Sequence, residues 1–282
     1  MKLPPWHLHP DVWLLILVLE GGYLMALARL GPRAVPPPEK PATRRQVLSY
    51  TLGVLAIAVA SEWPIHDLAE RYLLSVHMFQ HLLISLVAPP LMLMGMPAWL
   101  LRKILSHRPI GWVVRRLARP FFALLIFNTV IVVTHWPLVV NLMLEHHSLH
   151  FVGHAVLFAS ATLMWWPVIA PLAEMPSLSY PGRMVYLFLQ SIVPVVPASF
   201  LTFGSAPLYR FYTTVPRIWG LSVLTDQRIA GLIMKLLGGA ILWLAMAIIF
   251  FKWYAEEHAT EGWDALEWRG VDRDVRSELT KR

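Results

Sequence analysis

Seven long apolar runs, separated by polar stretches rich in proline and arginine, organise this chain. They fall at about residues 11–30, 46–62, 72–95, 120–136, 147–169, 183–204 and 227–252. A run of about 18 or more apolar residues is long enough to cross a bilayer as a helix. The pattern therefore predicts an all-α, polytopic membrane protein. It reads as a bundle of seven transmembrane helices over residues 1–253, followed by a polar tail over 254–282. The connection Gly31–Arg45 holds Pro32, Pro36, Pro37, Pro38 and Pro41, which makes it stiff and extended. Pro89-Pro90 in the third run and Pro194 and Pro197 in the sixth each remove a backbone donor, so kinks are expected there.

Composition agrees with that pattern. Hydrophobic residues make up 57% of the chain and charged residues 15%, with a mean hydropathy of +0.55. The net charge of +7 follows from basic loops rather than from any nucleic-acid module, since no basic stripe interleaved with aromatics occurs. Eighteen lysines and arginines lie in or beside the first, third and fifth connections and the tail, against Lys2, Arg71, Arg210, Arg217 and Arg228 on the other side. Basic loops stay in the cytoplasm, so the N-terminus is expected outside and the C-terminus inside. Lys2 is the only early positive charge and no small-residue cleavage site follows the first run, which reads as a span rather than a leader. With no cysteine, disulfides and thiolate metal sites are excluded.

Ten of the twelve histidines fall towards the expected outer side. His77 and His81 are four residues apart in the third span, as are His150 and His154 in the fifth. Residues four apart share one face of a helix. His147 extends the second pair into a stripe, and His135 ends the fourth span. A single histidine near a membrane interface is ordinarily satisfied by water or a carbonyl. Two pairs at equal depth point instead to a metal or a haem, because polar groups within spans are costly and commonly functional. Imidazole suits copper, zinc and iron, and Met78 and Met143 lie at similar depth as soft ligands. Spacing alone does not choose among these guests.

Other residues are weaker candidates. Asp67, Glu70 and Glu145 lie near the histidines and could orient imidazoles, although as loop acids they are expected to be solvated. Thr225 or Asp226 is expected to cap the last span. Trp165-Trp166 reads as an interfacial anchor, and Gly238-Gly239 as a site of close helix packing. Glu20 lies mid-span, as a proton or ion-pair partner or facing a wet cavity.

The stretch His77-Met-Phe-Gln-His81, with Ala88-Pro89-Pro90-Leu91 and Gly95-Met96-Pro97, resembles the CtaG-like membrane family, the bacterial cytochrome c oxidase assembly proteins found beside caa-type oxidases. Three further stretches carry the likeness: Glu145-His146 with His150 and His154, Trp165-Trp166-Pro167, and Asp226-Gln227 with Gly231-Leu232-Ile233-Met234. Lys235 departs from it, standing where an apolar or aromatic residue is expected, and would snorkel or pair with Asp226. The resemblance implies an inner-membrane, non-enzymatic assembly factor that helps supply copper to haem-copper oxidase subunits. Its metal residues would be His77, His81, His150, His154, His135 and His147, supported by Asp67, Glu145 and Asp226. A b-type haem protein with bis-histidine ligation is the alternative. A metal or proton transporter using Glu20 and Lys235 is a third reading, weakened because the histidines stay near one face. An intramembrane metalloprotease lacks its His-Glu-x-x-His motif.

Overall fold

The computed structural model describes residues 5–279, and side chains as far as His258. The chain is helical, with no strand among the described residues. The main helices are α1 (Pro10–Arg29), α2 (Arg44–Ser61), α3 (Ile65–Arg71), α4 (Leu74–Gly95), α5 (Ala98–Leu105), α6 (Arg108–Leu117), α7 (Pro120–Thr134), α8 (Pro137–Glu145), α9 (His147–Ile169), α10 (Tyr180–Phe203) and α11 (Val223–His258). Five of them, α1, α4, α9, α10 and α11, are long and apolar enough to cross a membrane. The number rises to seven if the bent pairs α2–α3 and α6–α7 each count as one span. In the fourth apolar run α7 alone has 15 residues, or about 22 Å against a bilayer core of about 30 Å.

Several helix starts follow from local chemistry. At α2, Thr43 Oγ1 accepts from the Gln46 backbone N–H while Gln46 Oε1 accepts from the Thr43 N–H, a reciprocal capping box. Prolines stand at the first positions of α7 and α8, where a missing N–H costs nothing. α11 is capped by Ser222, which accepts from the Thr225 N–H at 3.1 Å. Neither Thr225 nor Asp226 caps it, contrary to expectation. The polar tail continues the last helix through Leu279, so the change in composition after Trp253 is no break in the backbone.

α4 and α9 form the buried centre of the bundle, whereas α1 and α11 are mostly exposed. The exposed faces are rich in leucine, valine and phenylalanine, as expected of a membrane protein whose surface meets lipid rather than water. The second half of α4 lies against α2 almost backbone to backbone. A side chain at Gly95 would meet the Tyr50 amide nitrogen at 2.4 Å, so only glycine fits there.

The proline effects take two forms. α10 breaks between Ile192 and Val195, at Pro194. In α4 the helix instead widens into a π-helical turn, Leu83–Val87, just before Ala88-Pro89-Pro90. Pro89 has no N–H to give the Ser85 carbonyl, and the Trp165 indole N–H supplies that bond at 3.2 Å. Trp165 and Trp166 are each 4% exposed. They belong to the core and are not interfacial anchors.

At the end of the bundle away from the histidines, α6 turns by 87° into α7 and carries Arg108, Arg115 and Arg116 beside an exposed Trp112. Nearby, Arg102 at the end of α5 grips Glu174 with two hydrogen bonds of 2.7 and 3.1 Å, which holds that exposed carboxyl below its usual range.

Candidate metal centre

α4 contributes His77 and His81, and α9 contributes His150 and His154, each pair stacked along one face one turn apart. Ring centroids are 4.3 Å apart within each pair. Between helices, His77 lies 5.3 Å from His150 and 6.0 Å from His154, and His81 lies 5.2 Å from His154. Four imidazoles therefore meet in one place. His135, at the end of α7, stands edge-on to His81 at 5.7 Å.

Each of the four leaves one buried nitrogen without a hydrogen-bond partner: His77 Nδ1, His81 Nδ1, His150 Nε2 and His154 Nε2. Buried polar atoms in folded proteins are nearly always paired, so a cluster of such orphans calls for a guest. A cavity of about 20 Å³ lies among these rings and is bordered by Met143. That is room for about one water or one ion. The Met143 thioether reaches the cavity because position 153 is glycine, where a Cβ would meet Met143 Sδ at 3.0 Å. Ligand nitrogens of His77, His81 and His154 all lie within 4.8 Å of one another. Metal–nitrogen bonds of about 2.1 Å hold three ligands about 3.4–3.6 Å from one another, so each ring has to move inward by roughly 0.7 Å to seat a cation.

The surroundings set the tautomer of two rings, His150 and His135. His150 Nδ1 donates to Glu70 Oε1, which leaves Nε2 with its lone pair free towards the cavity. His135 Nδ1 donates to the Ile131 carbonyl at 2.7 Å, which likewise frees its other nitrogen. A carboxylate or carbonyl behind an imidazole is the usual support of a metal-bound histidine. Replacing Glu70 by glutamine is therefore expected to weaken the affinity for a metal ion seated there about 10- to 100-fold, measured by competition with a chromogenic chelator. Glu145→Gln should bind as wild type does.

The remaining candidates take other places. His147 is exposed at the start of α9 and lies 3.9 Å from Asp11 of α1, apart from the four rings. Asp67 is buried but faces His9 at 3.2 Å and Arg71 at 3.6 Å, not the cluster. Glu145 is exposed at the end of α8. Asp226 makes no hydrogen bond to a histidine among the described residues. Its carboxylate accepts from the Leu74 and Ser75 N–H groups at 2.8 and 3.0 Å and from the Ser75 hydroxyl at 2.6 Å, so it caps the helix that bears His77 and His81. Beside it, Gln227 accepts from the Leu208 N–H at 2.6 Å and pins the loop after α10. Lys235 pairs with neither: its ammonium lies over the Phe203 ring at 4.8 Å.

Two residues were not singled out for the centre by spacing. His66 on α3 bridges Glu70 Oε1 at 3.3 Å and Gln80 Nε2 at 3.2 Å. His9 packs edge-on against His66 at 4.7 Å. Their place on one side of the chain was legible, but their contacts depend on how α3 folds over the start of α4.

The sequence profile of the cytochrome c oxidase caa3 assembly factor family matches residues 21–256. The chain belongs to that family. All four clustered histidines of this assembly factor, with Glu70, Trp165 and Asp226, fall inside the matched region. No curated protein and no solved structure matches the assembly factor.

Proposed function

We propose that this assembly factor binds copper at the His77, His81, His150 and His154 cluster, with His135 and Met143 beside it, and supplies it to haem-copper oxidase subunits during their maturation. The observation that carries the reading is the set of four buried, unpartnered imidazole nitrogens around one ion-sized cavity. Nitrogen with a neighbouring thioether suits copper better than magnesium or calcium, which prefer oxygen. In this reading the protein is a carrier rather than an enzyme, and the metal is its cargo. It crosses a bacterial inner membrane seven times, with α2–α3 and α6–α7 each forming one bent span. The lysine and arginine distribution supports a cytoplasmic basic end, including α6, and a histidine end that faces outward.

Haem is the weaker reading. The facing rings are only 5.2–6.0 Å apart between α4 and α9, and the cavity of about 20 Å³ offers no slot for a porphyrin. Transport has less support still, since Glu20 is held by the Thr51 hydroxyl at 2.7 Å and Lys235 by Phe203. Elemental analysis of purified protein, incubated with cuprous ion and desalted, is expected to find about one copper per chain. Protein that retains none after this treatment would rule the reading out.

A further inference from the structure

A second, larger cavity of about 270 Å³ lies between α1 and α9 and leads to the cluster. Most of its wall is apolar, made by leucine, isoleucine and phenylalanine side chains. Apart from Ser61, its polar residues are Asp11, His147, His66, Glu70, His150 and His154. They are graded in depth. Asp11 and His147 have side chains 53% and 68% exposed and lie 3.9 Å apart. Glu70 and His66 follow at 20% and 11%. His150 is 7% exposed, and its orphan Nε2 belongs to the cluster. His147, His150 and His154 follow a three-then-four spacing on one face of α9, covering about 10 Å of helix length.

We infer that this cavity is the entry route for the metal cation, with Asp11 and His147 as the capture pair at its mouth and the histidine cluster as its end. The inference rests on the copper-binding reading above. Apart from the Ser61 hydroxyl, the polar side chains along the way are carboxylates and imidazoles, so a cation shedding water meets a replacement ligand at each stage. The carboxylates also give the mouth the negative potential that draws cations in. The cavity on the other side of the cluster is less suited to entry. It holds about 140 Å³ and touches His81 and His135, but its wall includes Lys235, whose positive charge opposes an arriving cation. His147, which stands apart from the four rings, thereby acquires a role that depends on its exposure.

Loading kinetics separate the route from the site. Detergent-purified protein is mixed with cuprous ion held by bicinchoninate, and the fall in the chelate's absorbance follows transfer. The double variant Asp11→Asn/His147→Gln changes only exposed side chains, so it should fold normally. Its initial loading rate is expected to fall about tenfold, with the final copper content per chain unchanged. Gly239→Phe, at a position in the opposite cavity where an added Cβ meets no atom within 4 Å, should load at the wild-type rate. An unslowed double variant overturns the route, as does a double variant that ends with less copper, because the pair would then belong to the site itself. Slow loading by Gly239→Phe would move entry to the other cavity. If wild-type protein takes up no copper, the binding reading fails along with the route. If wild type loads and the double variant loads as fast, the route fails alone.

Discussion

Replacing His77 and His154 by leucine is expected to abolish copper retention while leaving the copper-free protein at least as stable as wild type. Leucine nearly matches histidine in volume, so the swap removes two orphan nitrogens without opening a large void. A buried polar atom lacking a partner costs about 1–3 kcal/mol, and each variant sheds one such cost. A histidine that served only the fold would behave in the opposite way, since its loss would break hydrogen bonds and lower the melting temperature. Copper should reverse the order. A ligand present at about a thousand times its dissociation constant stabilises the folded state by about 4 kcal/mol, and only the wild type would gain this. Thermal unfolding in detergent, with and without cuprous ion, reads both effects. Variants that melt well below copper-free wild type would assign these rings to the fold rather than to a metal. Sites that trade stability for function in this way are where binding chemistry is commonly found.

Asp226→Ala is expected to be the most damaging single change outside the cluster. The aspartate is fully buried, and its three bonds hold the first turn of α4. Alanine would strand the Leu74 and Ser75 N–H groups in the core, at a cost of roughly 3–5 kcal/mol. In a protein of this size that is a fall of about 10 °C in melting temperature. Asp226→Asn keeps one acceptor oxygen and should fall about half as far. Copper content should drop together with stability in both, because the turn that Asp226 holds leads directly into His77. A variant that melts normally yet loses copper would instead place Asp226 in the site.

The two cases differ in how much of them the sequence shows. That His77 and His81 share a face, as do His150 and His154, is local helix geometry and is visible in the spacing. That the two faces meet depends on α4 packing against α9, which spacing does not contain. Asp226 has the chemistry of a cap, as expected, but the helix it caps begins 152 residues earlier, and a sequence offers only the nearest helix start. Glu70 looks like a solvated loop acid until α3 folds over the histidine end and buries it beside His150. Trp165 reads as an interfacial anchor because a tryptophan pair near a span end usually is one. Nothing along the chain reveals that a carbonyl left unpaired by Pro89 requires it. The apolar runs locate the helices well, yet they do not show that α7 is short or that α6 meets it at nearly a right angle.

The π-helical turn at Leu83–Val87 has a consequence for how this site is encoded. Such a turn holds one residue more than the α-helix around it, and one residue corresponds to about 100° of rotation. The proline half of α4 is locked against α2 at Gly95, so that extra residue sets the direction in which the other half presents His77 and His81. The aim of the centre is thus written partly as a count of residues rather than as their identities. Substitutions along 83–87 keep that count, whereas a single insertion or deletion there re-aims both imidazoles without altering either.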